Sequence, residues 1–265
     1  MSPYLAIIGA RFRLLFQYRA AAFAGICTQF FWGFLHVMIF TAFYAQLPSS
    51  VAVPISLEQT ITYVWLVQAF LLLLPWNIDR DVEQLVRSGN VAYELLRPID
   101  LYGLWFARAF AWRCTPLPLR VVPILVLAYV FFDMQGPASI LSTWLFLVSM
   151  ICSLLLGTAI TALMMVSLFW TVSSHGVVRV VTGLVVALSG MQVPLPLFPD
   201  WAKPFVYALP FRGLMDTPFR IYLGHIAPDG SLFPILHQLL WSFVLIVLGR
   251  WLLVRIQRRI VLQGG

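Results

Sequence analysis

Charge is what this sequence has least of: of 265 residues only 10% are charged, whereas 61% are hydrophobic and the mean hydropathy is +0.90. A soluble domain carries about 25% charged residues, so the composition excludes an ordinary soluble fold and defines a membrane protein. Paired cysteines are missing as well. Cys27, Cys114 and Cys152 stand singly in apolar stretches without a CxxC spacing, and read as buried thiols without chemistry. His36, His175, His225 and His237 are far apart in sequence, which argues against a metal centre. Despite a net charge of +7, no basic run interleaved with aromatics occurs, and this excludes a nucleic-acid groove.

The motifs of catalysis are absent too. Without GxxxxGK[ST] the chain has no P-loop, and it carries neither GxSxG nor HExxH nor paired carboxylates on an intramembrane helix face. Ser189-Gly190 together with His237 could be assembled into a protease dyad, but a helix-breaking or packing role suits so common a dipeptide better. The lack of Asp and Glu inside the apolar stretches weakens proton-coupled transport. Nothing near residue 1 has the pattern of a cleaved signal peptide, so the first hydrophobic segment is expected to be retained.

Against this background one polar interval stands out, residues 78–100. It holds Asp79, Asp81, Glu83, Glu94 and Asp100, five of the ten carboxylates, together with Arg80, Arg87 and Arg97. Ile78, Val82, Leu85 and Val86 recur at helical spacing, Ser88-Gly89-Asn90 is a turn signal and Arg97-Pro98 is a stop, so two short helices joined by a bend are expected. Anionic lipid attracts basic segments, at about 1 kcal/mol per Lys or Arg. A mixed-sign hairpin with an excess of acid is better suited to docking another protein, where rim charges fix orientation.

The rest of the chain reads as follows. Residues 1–19 form a basic amphipathic interfacial helix. Spans are expected at 20–45, 57–76, 117–132, 140–169, 180–193 and 234–253, with 101–115 a partly interfacial helix. In the first span Gln29, Trp32, His36, Phe40 and Tyr44 are candidates for lining a polar path, although a satisfied interhelical hydrogen bond is the commoner role for such a His. Ser153, Gly157 and Thr161 form a small-residue face for close helix packing. Segment 194–233 holds seven prolines among eight bulky aromatics, so it folds as short broken or re-entrant helices. Placing the hairpin and both chain ends on one side leaves only Lys203, Arg212 and Arg220 of the seventeen basic residues opposite; by the positive-inside rule both termini are cytosolic. The fold class is therefore an all-α integral membrane protein with six spans in a single domain, 1–265.

Three stretches carry a resemblance: SGNVAYELLRPID at 88–100, Ser189-Gly190 through Phe198-Pro199-Asp200-Trp201 with Leu209-Pro210-Phe211, and QRRIVLQGG at 257–265. With the order of spans they make the chain similar to type-2 ATP-binding-cassette exporter permeases, and to the bacterial subgroup usually encoded as one ATPase and two permeases. The resemblance implies a coupling helix at Asp79, Asp81, Val82, Glu83, Leu85, Val86, Arg87 and Gly89, with Val82, Leu85 and Val86 as the apolar contact on the ATPase. It implies an outer gate around Pro194, Pro196, Phe198 and Trp201. It further implies an inner-membrane location, a P-loop ATPase dimer carrying the ATP and Mg2+, and a second permease subunit, a paralogue in preference to a second copy. No cofactor, metal or catalytic residue is expected in this chain. A secondary transporter working without an ATPase is the competing reading.

Overall fold

The structure is a computed structural model that describes residues 9, 19–48, 53–96, 98–171 and 173–257. Apart from residues 9 and 19, the expected interfacial helix at 1–19 lies outside the described residues, as does the arginine tail from 258 onward. Every regular element among those residues is helical. In chain order these are α1 (Arg19–Ala45), α2 (Leu57–Phe70, continued by a 3-10 turn at Leu71–Leu73), α3 (Arg80–Arg87), α4 (Val91–Leu95), α5 (Leu101–Cys114), α6 (Leu117–Phe131), α7 (Ile140–Thr171), α8 (His175–Leu188), α9 (Lys203–Ala208), α10 (Asp216–Tyr222) and α11 (Leu232–Gln257).

Four helical stretches are long and apolar enough to cross a membrane: Phe23–Ala45, Leu101–Phe131, Ile140–Thr171 and Pro228–Gln257. Two shorter apolar stretches, Leu57–Leu73 and His175–Leu188, accompany them. Helix α7 is the core. In its most apolar window 72% of residues are buried, against 17% to 28% in the other three long stretches. Those three turn large side chains outward, among them Phe31, Phe34, Val126, Tyr129, Phe243 and Trp251, as apolar solvent permits. Cys27 follows them to an exposed position on α1, where burial was expected; Cys152 is buried in α7 and Cys114 half-buried.

The small-residue face of α7 explains why this helix can sit at the centre. A Cβ on Gly157 would lie 2.6 Å from the carbonyl oxygen of Leu73, so the end of α2 rests directly on the α7 backbone. Ser153 Oγ donates to Leu214 O at 2.6 Å, and Ser149 Oγ to Gln238 Oε1 at 2.9 Å. Gln238 in turn donates to Gly213 O at 2.7 Å. These polar contacts replace hydrophobic driving force, which is weak between helices in lipid.

Two boundaries differ from the sequence reading. Segment 101–115 is not a separate interfacial helix: α5 abuts α6 and packs on α7, burying Trp105, Ala109, Ala111 and Arg113. Its arginines misled the reading because both are satisfied inside the protein, Arg113 by Leu73 O at 3.2 Å, Ala109 O at 3.2 Å and Thr161 Oγ1. The fifth apolar helix starts earlier than 180, at His175, because His175 and Arg179 occupy its solvated first turns. It stops at Ser189, where Gly190 takes φ +83 and would, with a Cβ, collide with the Tyr63 hydroxyl. Segment 194–233 is broken as expected. Leu195–Leu197, Lys203–Ala208, Pro210–Gly213 and Pro228–Gly230 each carry proline in the first two positions, where a missing N–H costs least.

Candidate functional site

The hairpin at 78–100 folds as two short helices with a bend between them. Asp79 caps α3, its Oδ1 accepting from the Asp81 N–H at 3.0 Å, and Asp81 and Glu83 occupy the first turn, where helix-dipole interaction favours acid. Gly89, at φ 75, makes the left-handed turn that closes α3 and starts α4.

This hairpin is fastened to three other helices. Arg108 of α5 bridges Asp79 and Asp81, Nε to Asp79 Oδ2 at 2.8 Å and Nη2 to Asp81 Oδ2 at 2.8 Å. Glu83 Oε1 accepts from the backbone N–H of Ser174, the residue that caps α8, at 2.9 Å. That hydrogen bond holds the Glu83 carboxyl below the usual carboxylate range, and the neighbouring His175 and Arg87 act in the same direction. Ile78, Val82 and Val91 join Leu101, Tyr102, Trp105, Met165 and Leu253 in a separate apolar core at this end of the molecule, in which α3 packs on α7.

The direction of the hairpin's faces changes the expected assignment. Val82 is fully buried in the protein's own core, and Val86 packs half-buried beside it. These residues anchor the hairpin to the spans and do not present an apolar surface outward. What the hairpin presents is Tyr93, 69% exposed, and Leu96, 74% exposed, with Arg87, Ser88, Gly89 and Asn90 also exposed. Sequence reasoning passed over Tyr93 and Leu96 because α4 has only five residues, too few to display a period. Arg108 and Ser174 were missed for another reason: their partners lie 29 and 91 residues away.

A cleft of about 720 Å³ opens between the hairpin and α8, lined by Asp79, Glu83, Trp112, His175, Arg179 and Thr182. The candidate path residues of α1 do not share one environment. Gln29 donates to Gln68 O at 3.0 Å, while His36 and Phe40 are buried on the same side. His36 Nδ1 donates to Trp32 O at 2.7 Å, and Tyr44 donates to Ile55 O at 2.7 Å. Trp32 is turned outward, 49% exposed. The gate candidates divide similarly: Pro194 and Pro196 are buried, Phe198 is half-buried and Trp201 is exposed.

Asp216, at the start of α10, is the one carboxylate buried inside segment 194–233 among the described residues. Burial pushes its pKa up to about 6, against the opposing pull of Arg220 and Arg212. Arg220 Nη1 lies 3.5 Å from Asp216 Oδ2 and also donates to the Tyr207 hydroxyl at 3.2 Å, joining α10 to α9.

Apolar helices of spanning length, a core helix packed through small residues, and a charged hairpin clamped to the spans define a multi-pass membrane protein. The chain belongs to the family of ABC-2 family transporter proteins, whose pattern it matches over residues 30–264. It is therefore a permease of the ATP-binding-cassette type, the membrane transport component and not the ATPase. No curated protein and no solved structure matched the chain.

Proposed function

We propose that this permease is the membrane half of an ATP-driven exporter, with six spans, both termini in the cytosol and the hairpin seated on a separate P-loop ATPase dimer that carries ATP and Mg2+. A second permease subunit, a paralogue in preference to a second copy, completes the translocation path. The observation that carries the docking reading is the pairing of Tyr93 and Leu96, exposed on a hairpin whose other apolar residues fold inward. Two large exposed apolar side chains on a hairpin that also exposes Arg87, Ser88 and Asn90 match an interface anchor with polar neighbours. Asp81, Arg87 and Gly89 stay exposed and Leu85 half-buried, while Asp79, Val82, Glu83 and Val86 serve by holding the hairpin to the rest of the protein.

The mechanism is mechanical. Closure of the ATPase dimer on ATP moves the paired hairpins, and the spans clamped to them follow; nucleotide shifts the equilibrium only through its differential affinity for the two states. The need for a second subunit is supported by α8, in which only Val185 is fully buried within this protomer. Trp32 on the open face of α1 remains a candidate for the path, with Gln29, His36, Phe40 and Tyr44 behind it; Pro194, Pro196, Phe198 and Trp201 remain the outer gate candidates.

The test is purification of tagged wild-type protein and of a Tyr93→Ser, Leu96→Ser double variant in mild detergent from the native host, with mass spectrometry of what stays bound. A P-loop ATPase present with wild type and lost from a folded double variant is the expected result. Equal retention by the double variant moves the docking surface elsewhere. A wild-type chain that is recovered alone at every salt concentration overturns the coupled reading and favours a secondary transporter.

A further inference from the structure

Helix α8 is held in an unusual way. It has 14 residues, about 21 Å of helix, and buries only Val185 completely. Its two ends, by contrast, are tied by polar contacts to the two irregular polar elements of the molecule. At the first end Ser174 offers its backbone N–H to Glu83 of the hairpin at 2.9 Å. The Ser174 side chain makes no cap of its own, so Glu83 acts as a cap supplied from another element. At the far end Ser189 O accepts from the Asp216 N–H at 3.1 Å, and Gly190 lies against Tyr63 and Asp216. Asp216 continues through Arg220 to Tyr207 on α9.

Val177, Val178 and Val181 of α8 pack half-buried against the apolar core that also holds Ile78 and Val82 of the hairpin, and beside them a cleft opens between the two elements. The cleft of about 720 Å³ separates Asp79 and Trp112 from Val178, Arg179 and Thr182, and Glu83 stands at its edge. The directional contact between hairpin and α8 is the Glu83–Ser174 hydrogen bond, which fixes the end of the helix where apolar packing can slide.

We propose that Glu83 is a positioning residue which makes α8 a strut between the hairpin and the proline-rich segment 194–233: movement of the hairpin enters at Ser174 and leaves at the Ser189–Asp216 hydrogen bond. Because α8 is a stiff helix of 14 residues tied by directional hydrogen bonds at its ends, pulling or releasing one end displaces the other along the helix axis. The role in transport rests on the docking reading given above, but the mechanical connection does not.

Amide hydrogen exchange on the purified chain in lipid nanodiscs tests it, comparing wild type with Glu83→Ala and Glu83→Gln. Loss of a hydrogen bond to a charged group is expected to speed exchange at 174–178 by about tenfold or more. The strut predicts a further rise of several-fold at the Asp216 amide, at the opposite end of α8, with amides at 154–160 of α7 unchanged. Glu83→Gln keeps an oxygen acceptor and loses the charge, so its effect at both ends should fall between wild type and Glu83→Ala; it carries the comparison alone if the alanine variant does not fold. A rise confined to the first turn of α8 overturns the proposal, because a local cap would do the same. An equal rise in α7 is general loosening and overturns it too. No ATPase enters this measurement, so a negative result leaves the docking reading standing, and failure to recover an ATPase leaves the strut standing.

Discussion

Replacing Gly157 by alanine tests whether α7 is the packing core by attacking its tightest point. The added Cβ would sit 2.6 Å from Leu73 O, 3.6 Å from Arg113 Nε and 3.7 Å from Leu214 Cδ2. A carbon in contact with a carbonyl oxygen rests at about 3.3–3.6 Å, so the end of α2 must move by most of an ångström. The obstruction is backbone and cannot rotate aside. It is also the acceptor for Arg113, whose side chain is buried with no carboxylate among its hydrogen-bond partners. Overpacking costs about 1–3 kcal/mol, and weakening a hydrogen bond to a charged group adds about 1–2 kcal/mol. The better helix propensity of alanine returns about 1 kcal/mol, which leaves a net loss of about 1–4 kcal/mol. At roughly 2–4 °C per kcal/mol, the melting midpoint should fall by about 2–16 °C. Tryptophan fluorescence during heating in detergent, at one fixed scan rate, reads this directly. Gly183→Ala is the control: nothing lies within 4 Å of its Cβ, so its midpoint should stay or rise slightly. If Gly157→Ala melts within about 1 °C of wild type, the close contact between α2 and α7 is wrong.

Val82→Ala should lower the stability of the isolated chain by about 2 kcal/mol, since Val82 is fully buried in the hairpin-side core; an unchanged midpoint would return it to the role of an outward contact. Arg108→Lys should loosen the hairpin, seen as faster proteolysis around 79–96, because a single ammonium cannot reproduce the guanidinium's separate bonds to Asp79 and Asp81; protection equal to wild type would refute the clamp. Asp216 gives a pH signature. Its pKa is raised to about 6 in the folded protein, so the folded state holds the proton more tightly than the unfolded chain does. Stability from this group therefore grows as pH falls through about 6, and it is absent at pH 7.5. Wild type should melt higher at pH 5 than at pH 7.5, and Asp216→Asn should show a smaller difference between the two; an undiminished difference assigns the effect to other groups.

Much of the design was legible in the chain itself. Low charge and long apolar runs required helices in a membrane, because lipid offers a backbone no other partner. The polar interval 78–100 announced two short helices through Asp79, Ser88-Gly89-Asn90 and Pro98, and they formed. The prolines of 194–233 announced short broken helices for the same local reason. Local stereochemistry and solvent preference act over a few residues, and a sequence displays them openly.

What depended on distant partners did not show. Arg108 and Arg113 read as interfacial charges until the fold brought Asp79, Asp81 and Leu73 to them. The inward turn of Val82 and the outward turn of Tyr93 and Leu96 could not be read from helical period, because a hairpin at a membrane face has apolar neighbours on one side and room for a protein on the other. Which face meets which is settled by packing against α5 and α7. The sequence by itself determined the solvent, the helices and where they break. Only the tertiary structure decided which charges are clamps and which apolar residues remain free to bind, because those properties belong to pairs of residues brought together by folding.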